Sequence, residues 1–294
     1  MTFSPDDHPS ATVLIAADAL AALLAGPTPP VLLDVRWAAG VVQRADYLVG
    51  HLPGAFFLDL DADLAAPPGR GGRHPLPDPA ALQQLWRRAG VDDDSTVIVY
   101  DARDSSVAAR AWWLLRWSGL SDVRVLDGGF AGWVADPARP VEQGDARPRP
   151  AGTVTVRPGG MTVVDTTAAG ALAHGAGVLL DARAAARYRG EVEPLDPVAG
   201  HIPGARNLPL TDLLTADGTF RPPAELAAAL DGAIGDTDQV AASCGSGVTA
   251  CHLVLAGAAV GREIALYPDS YSGWLAQQLP VATGTEPGGE RTAR

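Results

Sequence analysis

The segment Val240-Ala-Ala-Ser-Cys244-Gly-Ser-Gly-Val-Thr-Ala-Cys251-His-Leu-Val-Leu combines the residue types best suited to chemistry in this chain. An apolar strand runs into a loop of small residues, Gly245, Ser246, Gly247, Val248 and Thr249, and the loop opens an apolar helix. Cys244 is thereby expected at the carboxyl end of a parallel strand, where open α/β sheets hold their ligands. Glycines let such a loop curl until several N–H groups and a helix N-terminus face one point. That field favours a thiolate, and it suits equally a second anionic sulfur bonded to the first. Nucleophilic catalysis through Cys244 is the chemistry this arrangement predicts. The competing reading of any free cysteine is a small core residue, and Cys251, further along the apolar helix, is read that way. A cysteine phosphatase or arsenate reductase also carries a cysteine between strand and helix. Such enzymes need an arginine six residues after the nucleophile, and position 250 is alanine.

The elements that must hold this loop occur twice. Val31-Leu-Leu-Asp34-Val-Arg36 recurs as Val178-Leu-Leu-Asp181-Ala-Arg183, His51-Leu-Pro-Gly-Ala55 as His201-Ile-Pro-Gly-Ala205, and Gly132-Trp133 as Gly273-Trp274. A repeat of this length is a whole domain. In each copy short apolar runs alternate with helical periodicity: strands at Val31–Leu33, Thr96–Tyr100 and Val123–Leu126, and again near Val178–Leu180, Gln239–Ala242 and Ile264–Leu266. Helices are predicted from Asp78 to Ala89, from Ser106 to Ser118 and near Phe130–Val134. The fold class is α/β, each copy a mainly parallel sheet flanked by helices. The expected division is residues 10–140, a proline-rich linker at 141–160 within the aperiodic stretch Asp136 to Gly160, and residues 161–282. Thr283 to Arg294 reads as a frayed tail.

Composition narrows the function classes. All 22 basic residues are arginine, so a lysine Schiff base and a phosphate-binding loop lysine are both excluded. Against 34 acidic residues the formal net charge is −12, which argues against nucleic acid or an anionic membrane as partner. Two cysteines cannot build a disulfide framework, and the six histidines lack metal-ligand spacing. The apolar stretch near the N-terminus has no positive start and is interrupted by Asp18, so it reads as a helix of the fold, in a soluble, cytoplasmic protein.

The paired Gly-His-x-Pro-Gly-Ala segments, the Asp-x-Arg after each first strand and the Cys-Gly-Ser-Gly-Val-Thr-Ala loop resemble the rhodanese-like sulfurtransferases in their tandem two-domain form. The likeness runs from about Leu14 to Gln278, and the loop looks like the 3-mercaptopyruvate branch; the thiosulfate branch has basic residues where Gly245 and Ser246 stand. It implies a persulfide on Cys244, cradled by backbone N–H groups from Gly245 through Gly247 and Val248 to Thr249, with pyruvate released and sulfur passed to a small thiol, cyanide or a thioredoxin-like protein. No cofactor or metal is implied, and a monomer is expected. It implies that Arg187 holds the donor carboxylate. It also implies a proton relay through Ser246 with Asp61 and His74 from the first copy. His51 and His201, present in both copies, are read as structural, and Arg36 and Arg183 as partners of their neighbouring aspartates. Asp101, not cysteine, stands where the first copy would carry a nucleophile, so that domain is expected to be silent. One departure stands out. The mercaptopyruvate branch often has a second arginine nine residues beyond the first, and here that position is Asp196, with Arg189 or another arginine left to substitute. The remaining rivals are a thiosulfate:cyanide sulfurtransferase on the same fold and a non-enzymatic persulfide carrier.

Overall fold

The computed structural model describes residues 13–288 and 290–292. The first half runs β1 (Leu14–Ile15), α1 (Ala17–Leu24), β2 (Val31–Arg36), α2 (Arg44–Val49), β3 (Phe56–Asp59), α3 (Leu60–Asp63), α4 (Pro79–Arg88), β4 (Val97–Tyr100), α5 (Ala108–Trp117), β5 (Val123–Leu126) and α6 (Gly129–Val134). Its five strands lie in the order β1-β5-β4-β2-β3 and all pair in parallel. The second half runs α7 (Thr166–Ala171), β6 (Val178–Asp181), α8 (Ala185–Tyr188), β7 (Arg206–Asn207), α9 (Pro223–Ile234), β8 (Val240–Ser243), α10 (Ala250–Ala259), β9 (Ala265–Leu266), α11 (Ser270–Ala276), β10 (Val281–Thr283) and β11 (Glu290–Thr292). Here the parallel order is β7-β6-β8-β9, the same winding as β3-β2-β4-β5.

The strand sequences explain this layering. Every residue of β2, β4, β6 and β8 is buried, as continuous apolar runs require in a parallel sheet covered on both faces. The charges inside β2 and β6 are neutralised locally: Arg36 chelates Asp34, and Arg183 chelates Asp181 while donating to the Gly200 carbonyl at 2.8 Å. Asp78 caps α4 by accepting from the N–H groups of Ala80 and Ala81, with Pro79 pre-set for the first turn.

Helices α5 and α10 are apolar almost all round, a pattern that fits only a fully enclosed helix. They pack on each other, and one core runs from Val31 and Trp112 to Val178 and Leu253 across both halves. The loops entering the two helices therefore lie on either side of one seam. The stretch read as linker straps along the first half, with backbone bonds from Gly152 to Arg87, Val154 to Val91 and Arg157 to Ser118. At the other end the reading of a frayed tail is corrected: Glu290–Thr292 pairs antiparallel with Val281–Thr283, because turning back lets these backbone groups bond each other. The N-terminal stretch read as helix opens with β1 and becomes helical only from Ala17, and its first twelve residues lie outside the described ones.

Candidate active site

Cys244 follows directly on β8, and its side chain is all but enclosed, with the residue 1% exposed. The loop turns tightly around it. Gly247 has φ +77°, and a methyl group there would lie 2.1 Å from the Pro268 carbonyl oxygen, so both its conformation and its surroundings demand glycine. This turn brings the N–H groups of Ser246 and Gly247 onto the Cys244 sulfur at 3.4 and 3.2 Å. Val248 and Thr249 follow and lead directly into α10, with Thr249 at its N-cap position. The backbone N–H of Cys244 is itself fixed by Ser270 Oγ at 3.0 Å, a hydroxyl that donates in turn to the Tyr267 carbonyl.

The residues expected to form a relay, Asp61, His74 and Ser246, come together across the seam. His74 Nδ1 lies 2.7 Å from Ser246 Oγ, and His74 Nε2 lies 2.8 Å from Asp61 Oδ1. A carboxylate can only accept, so Nε2 carries the ring proton and Nδ1 accepts from the serine hydroxyl. Burial pushes the His74 pKa below its ordinary value, against the pull of Asp61, and so favours the neutral imidazole. Trp37, which sequence reasoning missed, donates Nε1–H to Asp61 Oδ1 at 3.0 Å and meets His74 edge-on.

Arg187 reaches the cleft, but its guanidinium is engaged by Glu193, at 2.6 and 3.2 Å, and lies 3.4 Å from Asp196. Arg189 pairs with Glu191 at the surface and does not substitute for the missing arginine. Arg73 does lie at the loop, although sequence reasoning passed over it: a methyl group on Gly245 would sit 2.8 Å from Arg73 Nη2 and 3.4 Å from Arg187 Nη2. One signal was available. Arg73 is the residue before His74, and Asp196 is an acidic residue in need of a cation. Arg110 was also missed. It is fully buried on α5 and donates to the carbonyls of Gly247, His74, Pro75 and Leu64, tying the cysteine loop to the histidine segment.

A cavity of about 340 Å³ joins these parts. Trp37, Leu60, Asp61, Arg73 and His74 wall it from the first half, and Arg187, Leu195 and the Cys244 loop from the second. Cys251 lies behind the loop, its thiol 3.3 Å from the Gly247 carbonyl and pushed up to about 12 by burial, as a core thiol should be. His51 and His201 stack on Tyr47 and Tyr188 and bond the carbonyls of those same tyrosines, so their recurrence reflects the fold. Asp101 follows β4 as Cys244 follows β8, and its carboxylate accepts four backbone N–H groups, from Arg103, Ser105, Val107 and Ala108, each at 3.0 Å.

Comparison with known proteins agrees with this architecture. The rhodanese-like domain family matches residues 16–136 and again 166–277. A probable 3-mercaptopyruvate sulfurtransferase of Pseudomonas aeruginosa is 44% identical over 287 residues, covering 94% of this chain and 99% of the relative. A putative thiosulfate sulfurtransferase of Mycobacterium tuberculosis is 43% identical over 279 residues, covering 93% and 98%. The crystal structure of SseA from Escherichia coli, described as a 3-mercaptopyruvate sulfotransferase, superposes with a TM-score of 0.75 at 35% identity, over 89% of this chain and 99% of that one. No helix among the described residues is long and apolar enough to cross a membrane. With both halves matched, this chain belongs to the rhodanese-like family and is a tandem-domain sulfurtransferase.

Proposed function

We propose that the donor is 3-mercaptopyruvate and that its sulfur passes through a persulfide on Cys244 to a small thiol, to cyanide or to a thioredoxin-like protein. The observation that carries this reading is the Asp61–His74–Ser246 relay beside the cysteine. When a Cys244 thiolate attacks the thiol sulfur of mercaptopyruvate, an S–S bond forms and the carbon–sulfur bond breaks. The electron pair leaves as the enolate of pyruvate, which needs a proton on carbon. The donor's own thiol proton supplies it: Ser246 and the neutral His74 take that proton and return it to the carbon, leaving an anionic persulfide and pyruvate. Asp61 steadies the imidazolium in between. Thiosulfate loses sulfite, which leaves as an anion without needing a proton, so a relay would serve no purpose there. The N–H groups of Ser246 and Gly247, already turned to the sulfur, favour the anionic persulfide. Relatives described as 3-mercaptopyruvate sulfurtransferases support the same donor.

One observation favours thiosulfate as the second reading: two guanidiniums stand over Gly245, supplying positive charge that the loop itself lacks. The deciding experiment is kcat/KM for both donors with one acceptor, together with pyruvate formation. A preference for mercaptopyruvate with one pyruvate per sulfur transferred supports the proposal, and a preference for thiosulfate overturns it. The same proposal takes the first domain as carrying no sulfur and the protein as a cytoplasmic monomer, since a thiol that must cycle through persulfide suits a reducing compartment.

A further inference from the structure

Asp196 interrupts the expected donor site with a negative charge, and what surrounds it is organised. Its side chain is 2% exposed and uses both oxygens on arginines from opposite halves: Oδ1 pairs with Arg73 Nη1, and Oδ2 lies 3.4 Å from Arg187 Nη2. Arg73 is anchored independently. Its backbone N–H donates to Ser272 Oγ at 3.0 Å, and the preceding Gly72, at φ +90°, leaves only 2.5 Å between a would-be methyl group and that same hydroxyl. The chain is thus pressed onto α11, and the guanidinium is delivered from the first half to the loop of the second. Both arginines keep about a fifth to a quarter of their side chains open, 27% for Arg73 and 18% for Arg187, and both line the cavity that holds Cys244.

The charges in this cluster balance. Arg73, Arg183 and Arg187 stand against Asp181, Glu193 and Asp196, so this cluster adds no net formal charge to the cavity. A donor with a single carboxylate adds one negative charge to this cluster, and a compact dianion adds two.

We propose that Arg73 is a donor-binding residue, the second cation of a carboxylate site that spans the two halves, and that Asp196 both aims Arg73 and Arg187 and sets the site's charge to favour a monocarboxylate over a dianion. This rests on the mercaptopyruvate reading for the identity of the carboxylate, but the role of Arg73 can be tested with either donor. A bidentate guanidinium is the side chain suited to such a contact. Losing a charge-assisted contact of this kind lowers kcat/KM by roughly 10- to 100-fold.

The experiment uses the full chain and four proteins: wild type, Arg73→Met, Arg73→Lys and Asp196→Asn. For each, kcat/KM is measured with mercaptopyruvate and with thiosulfate, pyruvate is measured as a competitive inhibitor, and discharge of preloaded persulfide to a dithiol is timed separately. Arg73→Met should lower kcat/KM for the donor by roughly 10- to 100-fold and weaken pyruvate inhibition in parallel, with persulfide discharge within about threefold of wild type. Arg73→Lys, which keeps the charge and the tie to Asp196, should recover part of the loss and keeps the test open if the methionine variant does not fold. Asp196→Asn should raise thiosulfate relative to mercaptopyruvate by roughly tenfold or more. If donor kcat/KM and pyruvate inhibition are unchanged in both Arg73 variants, or if donor use and discharge fall together in both, Arg73 is only a tie between domains and the proposal fails. An unchanged donor ratio in Asp196→Asn removes the charge-setting role. Wild type preferring thiosulfate would instead sink the mercaptopyruvate reading, and the Arg73 arm would still report on donor binding.

Discussion

The loop after β4 and the loop after β8 stand at the same place in two copies of one sheet, and each folds backbone N–H groups around the first side chain beyond the strand. Even the supporting bonds correspond: Phe130 and Ala131 donate to the carbonyls of Asp101 and Ala102, as Tyr271 and Ser272 donate to those of Cys244 and Gly245. After β4 the cradle is filled from within, because the Asp101 carboxylate satisfies four N–H groups. After β8 the shorter loop puts two N–H groups on a sulfur that also opens on the cavity. The difference teaches what the cradle is for. It is built to hold one anionic group, and the second copy leaves that place to a sulfur that can grow by one atom. The filled copy contributes differently, since it supplies Asp61, Arg73 and His74 to the open one.

The comparison breaks first at the nucleophile. Cys244→Ala should abolish sulfur transfer, and adding Asp101→Cys in that background should not restore it, because the relay and both guanidiniums face the other loop; an assay of thiocyanate or pyruvate release checks both. Next come the residues of the proposed relay. Ser246→Ala and His74→Gln should each lower kcat with mercaptopyruvate by roughly 100- to 1000-fold, the range of a lost general acid–base group. With thiosulfate the same variants should change by less than about threefold, so equal losses for both donors would remove the proton-transfer role. The filled cradle is tested by stability. Asp101→Ala leaves four enclosed N–H groups without an acceptor and should cost about 3–5 kcal/mol in denaturant unfolding, whereas Cys244→Ala should cost about 1 kcal/mol or less.

A buried histidine beneath the first loop gives a pH signature. His252 stacks on Phe220, and burial holds its pKa down to about 4, against the attraction of Asp104. The unfolded chain binds this proton near pH 6.5 and the folded one does not, so stability is complete above 6.5 and is lost as pH falls toward 4. The loss amounts to about 3 kcal/mol. Urea unfolding at pH 7 and pH 4.5 should show it, and His252→Leu should flatten the difference. The smallest effect belongs to Cys251→Ala, about 1 kcal/mol of packing with transfer activity within about threefold of wild type.

Much of this was legible because the informative residues are consecutive. The Cys244 loop, its strand and its helix form one uninterrupted segment, and the repeat of the Asp-x-Arg and His-x-Pro-Gly motifs gave the architecture directly. Asp61, His74 and Ser246 were reached through the resemblance alone, since nothing in their spacing places them together. Arg73, Trp37 and Arg110 escaped because their roles exist only in the assembled seam. Arg73 meets a carboxylate 123 positions away, and Arg110 meets a loop carbonyl 137 positions away. Gly245 and Ser246 carry no charge of their own, so the loop sequence does not reveal the positive charge that stands beside it. A glycine leaves space, and two arginines from elsewhere occupy it.

The central claim is that the open cradle carries sulfur on Cys244 while the filled one carries none. Its most direct test is mass spectrometry of the intact chain and its peptides after brief exposure to mercaptopyruvate without acceptor. The account predicts one added sulfur per chain, on the peptide with Cys244 and not on Cys251, matched by one pyruvate and lost on adding a dithiol. Pyruvate formed with no sulfur on Cys244, or sulfur found on Cys251 instead, would contradict it.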